Sequence, residues 1–331
     1  MLQALVTPNS IPVTIRFEDG EGPALSVRTL DAQFAMSALF SMRVLVTAAD
    51  SDFPLRTLVG RKVLVGLPDG VTVNGFLYRA SHHAGEVANG IVLDIGSHLW
   101  ALTQSFDEYT WEQENIISIA KDFLENIGFS TAFEFEISSP PEPGPYTALF
   151  EESDHDALFR LLAEDGIASF FDATLEGSPF VMTNDTVASS AKRARRLPFY
   201  PPTQLGAAGS PHIHSVEVTA QGVIDMVELR DYWFERPEFE AAAPAHLTPS
   251  NAWSQYDRSR LGTGLNENVL KRRARDVLDG FAAGQEIVRL KPTFPCSPRY
   301  LSSFSMTVSP AAGRLPIIIG FRPMRRRSNS R

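Results

Sequence analysis

The sequence predicts an α+β fold that is mostly β, with two related β-barrel-like lobes around a helix-containing middle region. Three observations carry this. Short runs that alternate apolar and polar residues, separated by turn residues, fill residues 11 to 100. From Trp100 the apolar spacing lengthens to that of a helix. The alternation returns at Val216 and is interrupted once, by an apolar stripe from Leu265 to Phe281. The domains expected are 1–105 for a first β-barrel, 106–197 for a helix-containing α/β middle domain, and 198–331 for a second β-barrel with an inserted helix.

The elements follow in order. Val13, Ile15 and Phe17 alternate with polar residues, and Asp19-Gly20 turns the chain. Phe40, Met42, Val44 and Val46 form a second alternating run. Lys62 to Leu67 is a third strand, closed by the turn Pro68-Asp69-Gly70. Val71, Val73, Gly75 and Leu77, then Gly90 to Ile95, complete a set suited to a closed or nearly closed barrel, which removes exposed edges. Thr110 and Gln113 have capping-box spacing, ahead of a helix with Ile116, Ile119, Ala120, Phe123 and Ile127 on one face and Gly128 as its stop. SSPPEPGP, residues 138 to 145, cannot be helical.

Tyr146 to Phe171 then reads as strand, capped helix, glycine stop and strand. Ser153 can cap the helix, with Asp156 three positions on; Leu158, Leu161 and Leu162 share a face; Gly166 can take the left-handed position beyond the helix end. A hairpin around Glu176-Gly177 ends near Met182, and residues 198 to 211 form a loop. Val216 to Arg230 is β again, around a turn at Gln221-Gly222; the Ala/Pro/Glu-rich segment Pro237 to Pro249 reads as a surface excursion; Leu265 to Phe281 is a helix.

Composition narrows the function classes. A hydrophobic fraction of 44% in 331 residues predicts a packed core. A net charge of −9 argues against a nucleic-acid groove, which needs basic excess. The lone Cys296 cannot form an internal disulfide, which fits synthesis in a reducing cytoplasm. No signal peptide is visible in MLQALVTPNSIPV, and no apolar run is long enough for membrane insertion.

The reactive residue types have simpler readings. Ser153, Asp154, His155 and Asp156 are the letters of a hydrolase triad, but neighbours at a helix start diverge and cannot form the relay. His82-His83 and His212/His214 lack a third ligand at a fixed spacing, so neither a metal nor a cofactor is expected. Glu151, Glu152, Glu164 and Asp165 could pair as glycosidase carboxylates, yet capping and a solvated acidic face explain them. Lys192, Arg193, Arg195 and Arg196 read as a solvated loop, or as partners for a neighbour's acids. Phe170 and Phe171 point to opposite faces of a strand, one to the core and the other to a partner or second layer.

The wording of Tyr146 to Phe171 resembles a signature of the VgrG family, the spike proteins of type VI secretion systems. The matching positions are Tyr146, Glu152, Ser153, Asp154, Phe159, Leu161, Leu162, Glu164, Asp165, Gly166, Ile167, Phe170 and Phe171. Further segments resemble the family in order: Leu39 to Val46, Leu58 to Leu67, Gly75 to Gly85 (with Leu77 at a usual glycine), the helix-start stretch IGSHLWALTQS, and VELRDYWFERP at Val227 to Pro237, with Trp233 at a usual Asp. The resemblance covers residues 11 to 290.

It implies a hub like that of contractile phage baseplates, a homotrimer whose barrels form a pseudo-sixfold ring that docks the Hcp tube ring among the other baseplate proteins. The polypeptide would be cytoplasmic on synthesis and exported with the apparatus. The family continues into a small barrel and a triple β-helix needle, whereas from Lys291 this sequence loses the expected strand wording, so a truncated or frame-shifted end is expected. The work implied is assembly, without catalysis. The alternatives are the hub of a contractile phage tail and a β-rich polysaccharide hydrolase. The packing and interface candidates are Phe40, Trp100, Tyr146, Phe170, Tyr232, Trp233 and Phe234.

Overall fold

Six strands build the first sheet: β1 (Thr14–Phe17), β2 (Leu25–Gln33), β3 (Ser41–Ala48), β4 (Lys62–Gly66), β5 (Thr72–His83) and β6 (Gly90–Gly96). Their order is β1-β4-β5-β6-β3-β2, and every pairing is antiparallel. The structure is a computed structural model that describes residues 13–48, 54–67, 70–83, 90–127, 132–144, 146–186, 188–189, 213–232, 240–247, 255–261, 267–292, 304–307 and 318–320.

Period-two alternation sets what this sheet buries. Met42, Val44 and Val46 on β3, Val63 and Val65 on β4, and Ile91, Leu93 and Ile95 on β6 are all within 1% of full burial. The sheet curls until the edge strands β1 and β2 approach within 8 Å between Cα atoms, without forming a ladder. It is therefore a curled half-barrel with an open seam.

Strand β2 escapes sequence reading because its phase changes midway. A bulge between Val27 and Thr29 turns Leu30 and Ala32 into the core, so the alternation seen at Leu25 and Val27 fails beyond it.

The chain leaves β6 through a 3₁₀ turn, His98–Gln104, that buries Leu99 and Leu102 three residues apart. Strand β7 (Tyr109–Glu112), helix α1 (Ile116–Asn126), and strands β8 (Phe133–Glu136) and β9 (Tyr146–Leu149) follow. Next come helix α2 (Asp154–Glu164) and strands β10 (Ala168–Phe171) and β11 (Phe180–Thr183). β10 and β11 form the expected hairpin, and β8 lies parallel to β11.

The expected capping box is corrected here. Thr110 lies inside β7, and Gln113 has a positive φ of 57°. The cap of α1 is Asn115, whose Oδ1 accepts from the amides of Ile117 and Ser118 at 3.0 and 3.1 Å. Antiparallel pairing with β9, distant in sequence, holds Thr110 extended. The proposed stop Gly128 lies outside the described residues.

Beyond the middle region, β12 (Ile213–Ala220) pairs with β16 (Glu286–Pro292), while β14 (Glu240–His246), β13 (Met226–Tyr232) and β15 (Gln255–Leu261) form another sheet in that order. Residues 221–225, which include the Gln221-Gly222 pair read as a turn, thus carry the chain from one sheet to the other. Helix α3 (Glu267–Ala282) packs across β13 and β14. Strands β17 (Phe304–Thr307) and β18 (Ile318–Gly320) form a short pair.

The surface excursion expected at 237–249 is also corrected: residues 240–246 are β14. Ala243 and Ala245 face α3 and are nearly inaccessible. Alanine has weak strand propensity, so burial beneath the helix fixes this strand. Pro244 fits because β14 is an edge strand.

Two apolar cores form among the described residues. One runs without a break from Ile15 to Met182, joining the half-barrel to the middle region. The other contains Val227, Ala243, Ala245, Leu270, Ala274 and Leu278. No described helix is long and apolar enough to cross a membrane.

Candidate assembly interface

Strand β9 and the turn after it carry two of the most exposed large apolar side chains among the described residues. The register opposes Tyr109 to Leu149, Trp111 to Thr147 and Glu112 to Tyr146. Leu149 turns inward and is 2% exposed, so period two places Tyr146, Ala148 and Phe150 on the outer face. Tyr146 is 58% and Phe150 64% exposed, with Phe106, 70% exposed, just before β7. Sequence reading named Tyr146 but missed Phe106 and Phe150; the alternation Tyr146-Ala148-Phe150 was the signal for Phe150.

Behind this ribbon, α2 is pinned at both ends. Ser153 Oγ accepts from the Asp156 amide at 3.1 Å. The Asp156 carboxylate turns to His155 Nδ1 at 2.9 Å, and this hydrogen bond, helped by Ser153, holds its pKa below the usual carboxylate value. Serine and histidine thus both turn to Asp156 and not to each other, and the His155 ring lies tilted against Phe159 with centroids 4.5 Å apart. At the other end Gly166 adopts φ +67°. Its amide donates to Ala163 O at 3.1 Å, and the Ile167 amide donates to Leu162 O at 2.9 Å, the two bonds of a Schellman stop.

The acidic positions are committed to arginines. Arg160 binds Glu152 and reaches Glu164 Oε1 at 3.3 Å, and Glu152 first among its neighbours raises the guanidinium pKa. Asp165 Oδ1 accepts from Arg272 at 2.8 Å and from Arg273 at 3.2 Å, both on α3. The E-D-G stop of α2 is therefore also the seat of the helix from the second sheet, a role invisible in the sequence. Glu151 stands apart in a left-handed turn at φ 54°.

The named aromatics fall into different settings. Phe40 is core: it is 2% exposed and meets Phe171 edge-on at 5.0 Å, while Phe171 packs on Phe180 at 5.2 Å. These contacts fasten the middle region to the half-barrel. Phe171 is buried and Phe170 half-buried. Trp100 is half-buried and stacks on Tyr78 at 5.0 Å with an interplanar angle of 12°. Tyr232 ends β13 at 38% exposure. Trp233 and Phe234 lie outside the described residues, as do Lys192 to Arg196, His212 and Cys296. His82 is exposed, and no group of three metal-binding side chains forms among the described residues.

A polar cavity of about 270 Å³ lies between half-barrel and hairpin, lined by Glu18, Lys62, Asn74, Ser97, His98 and Ser178 among others. Burial first, then Lys62, lowers the His98 pKa. On the sheet, the nearly inaccessible Asp94 carboxylate is held by Arg43 at 2.7 Å, with Arg79 at 3.8 Å. That contact raises the Arg43 pKa.

The chain is similar to known proteins. A profile of the phage tail baseplate hub (GPD) matches residues 34–293, most of the chain. The chain belongs to the phage tail baseplate hub family. It is 24% identical over 281 residues to the type VI secretion system spike protein VgrG1a of Pseudomonas aeruginosa, covering 82% of this chain and 43% of that protein. It is 24% identical over 243 residues to VgrG1c of the same organism, covering 71% of this chain and 33% of that protein. The chain thus spans less than half the length of these curated relatives.

Its fold is shared with the E. coli c3393 protein, a component of the type VI secretion system, at TM-score 0.53 and 14% identity over 89% of this chain and 82% of that one. A tail protein from Neisseria meningitidis gives TM-score 0.58 at 11% identity over 85% and 79%. As a hub-family member the chain is mostly β, with a curled half-barrel sheet and few helices, and it resembles the N-terminal region of VgrG proteins.

Proposed function

We propose that the chain is a structural hub subunit of a type VI secretion spike, which trimerises and docks on the Hcp tube ring beside other baseplate proteins. Its divisions are 1–105, 106–197 and 198–331, it is made in the cytoplasm, and it leaves the cell with the apparatus. Its work is assembly, without bond-breaking. The observation that carries this reading is the outer face of the β7–β9 ribbon, where Tyr146, Ala148 and Phe150 line up at strand spacing. Large aromatics exposed along one strand face are the kind of apolar surface that marks an interaction site. Closed symmetry would use one such face three times. Similarity to VgrG1a and VgrG1c supports the secretion particle.

Sedimentation equilibrium of the purified chain tests it. A trimer that falls to monomer in Tyr146→Ser/Phe150→Ser, with the far-ultraviolet spectrum unchanged, is the expected result. A wild-type monomer at all concentrations overturns it.

The shared fold of the Neisseria meningitidis tail protein favours a second reading, a contractile phage tail hub. Co-purification with an Hcp ring, against co-purification with a phage tail-tube protein, separates the two. Against the hydrolase alternative, Glu152, Glu164 and Asp165 are held by arginines.

A further inference from the structure

Under the ribbon, on the face opposite Tyr146 and Phe150, the structure holds a small acidic and aromatic pocket. Its volume is about 170 Å³, and Asp107, Tyr109, Trp111, Asp122, Phe123 and Asp154 are among its lining residues. We propose that this pocket binds the guanidinium group of an arginine carried by a partner polypeptide. This goes beyond the hub reading and does not require the chain to trimerise.

The first support is an orphaned carboxylate. Asp154 is 8% exposed, and its Oδ1 is buried without a hydrogen-bond partner among the described residues. A buried acceptor left unpaired is destabilising, and a charged donor entering the pocket would satisfy it. Asp154 also opens α2, whose N-terminus carries roughly half a positive charge. Three carboxylates outweigh that field, so the pocket selects a cation.

The second support is the aromatic wall. Tyr109 and Trp111 stack at 5.9 Å with an interplanar angle of 28°. Trp111 is fixed by its Nε1, which donates to Asp122 Oδ2 at 2.9 Å, and by Phe123, 5.5 Å away. Fixed ring faces attract a flat, weakly hydrated cation.

The spacing of the acids decides which cation. No three metal-binding side chains come together among the described residues, so Asp107, Asp122 and Asp154 do not converge on one point. A compact metal ion needs convergence, whereas a planar fork of five donors suits acceptors spread around a rim. The volume far exceeds the roughly 10–15 Å³ that one water needs, which leaves room for a side-chain head. Sequence reading passed over this site because Trp111 and Asp154, distant in sequence, come to line one pocket only in the folded chain.

The test titrates the full-length chain with the peptide Lys-Arg-Ala-Arg-Arg and with its isosteric citrulline counterpart, reading tryptophan fluorescence. The expected result is a saturable change with the arginine peptide that is absent in Trp111→Phe and weakens as salt rises. The citrulline peptide should bind at least about tenfold more weakly, a difference of about 1.4 kcal/mol. Asp154→Asn should lose a similar factor; because that residue starts a helix, the exposed Asp122→Asn, which can still accept from Trp111, serves as a second variant. Equal binding of the two peptides, or unchanged binding in both variants, overturns the proposal, and so does the lack of any Trp111-dependent signal at millimolar peptide.

Discussion

The half-barrel buries long aliphatic side chains on facing strands, such as Met42, Val44, Leu93 and Ile95, and extends that core through Leu158 and Phe180 to the middle region. The second core places Ala243, Ala245 and Val227 beneath Leu270, Ala274 and Leu278. Both rest on a sheet, but the first sheet curls around its own apolar contents whereas the second is capped by one helix. Alanines let the helix come close, at the cost of little buried area, and buried area sets the driving force at roughly 25 cal/mol per Å². The difference teaches that the C-terminal part needs an outside hold, which the arginines of α3 find on Asp165.

The sharpest way to break this contrast is a cavity in each core. Leu158→Ala should cost about 2–5 kcal/mol. Hydrogen exchange should accelerate from β3 through β11, because that core is continuous. Leu278→Ala should accelerate exchange in β13 and β14 and leave β3 to β6 alone. Equal loss of protection in both parts would mean a single cooperative unit.

Asp165→Ala comes next. It leaves Arg272 and Arg273 without their shared carboxylate, a loss of about 1.5–3 kcal/mol for hydrogen bonds to a charged group. Faster exchange in α3, β13 and β14 with an unchanged half-barrel is expected; unchanged exchange there would sink the idea of an outside hold. The capping correction predicts a smaller effect. Asn115→Ala should lose about 0.5–2 kcal/mol, which Thr110→Ala should not match. Thermal unfolding of the two variants decides it.

The smallest effects concern pH, and the two parts should respond with opposite signs. His98 has a folded pKa below its unfolded value, so it is kept neutral, and the unfolded chain takes up the proton first. Half-barrel stability should therefore fall as pH drops below about 6.5. Asp276, on α3 beside Gly166, has a raised pKa because burial disfavours its charge. The folded chain binds that proton first, so its contribution becomes more favourable as pH falls into the carboxylate range. Melting curves of His98→Gln and Asp276→Asn, each flattening one limb, provide the check.

Local chemistry was legible. Ser153 and Gly166 were identifiable because a cap or a left-handed stop depends on a few adjacent residues, and the structure realises both. The hub resemblance was legible for the same reason, since its wording sits in such units. Long-range pairing was not. Thr110 looks like a cap until β9 makes it a strand, residues 237–249 look like a surface excursion until α3 covers β14, and a bulge hides the phase of β2.

From its own residues the sequence determined the cap and the stop of α2, showed that the chain is mostly β, and showed to which family its central unit is similar. Only the tertiary structure decided that Asp165 seats two arginines from α3, that Asp154 is left with an unsatisfied oxygen beside Trp111, and that Tyr146 and Phe150 share an open face. Capping energies are set within a turn of chain, whereas burial and ion pairing are set by whichever distant segment the fold brings alongside.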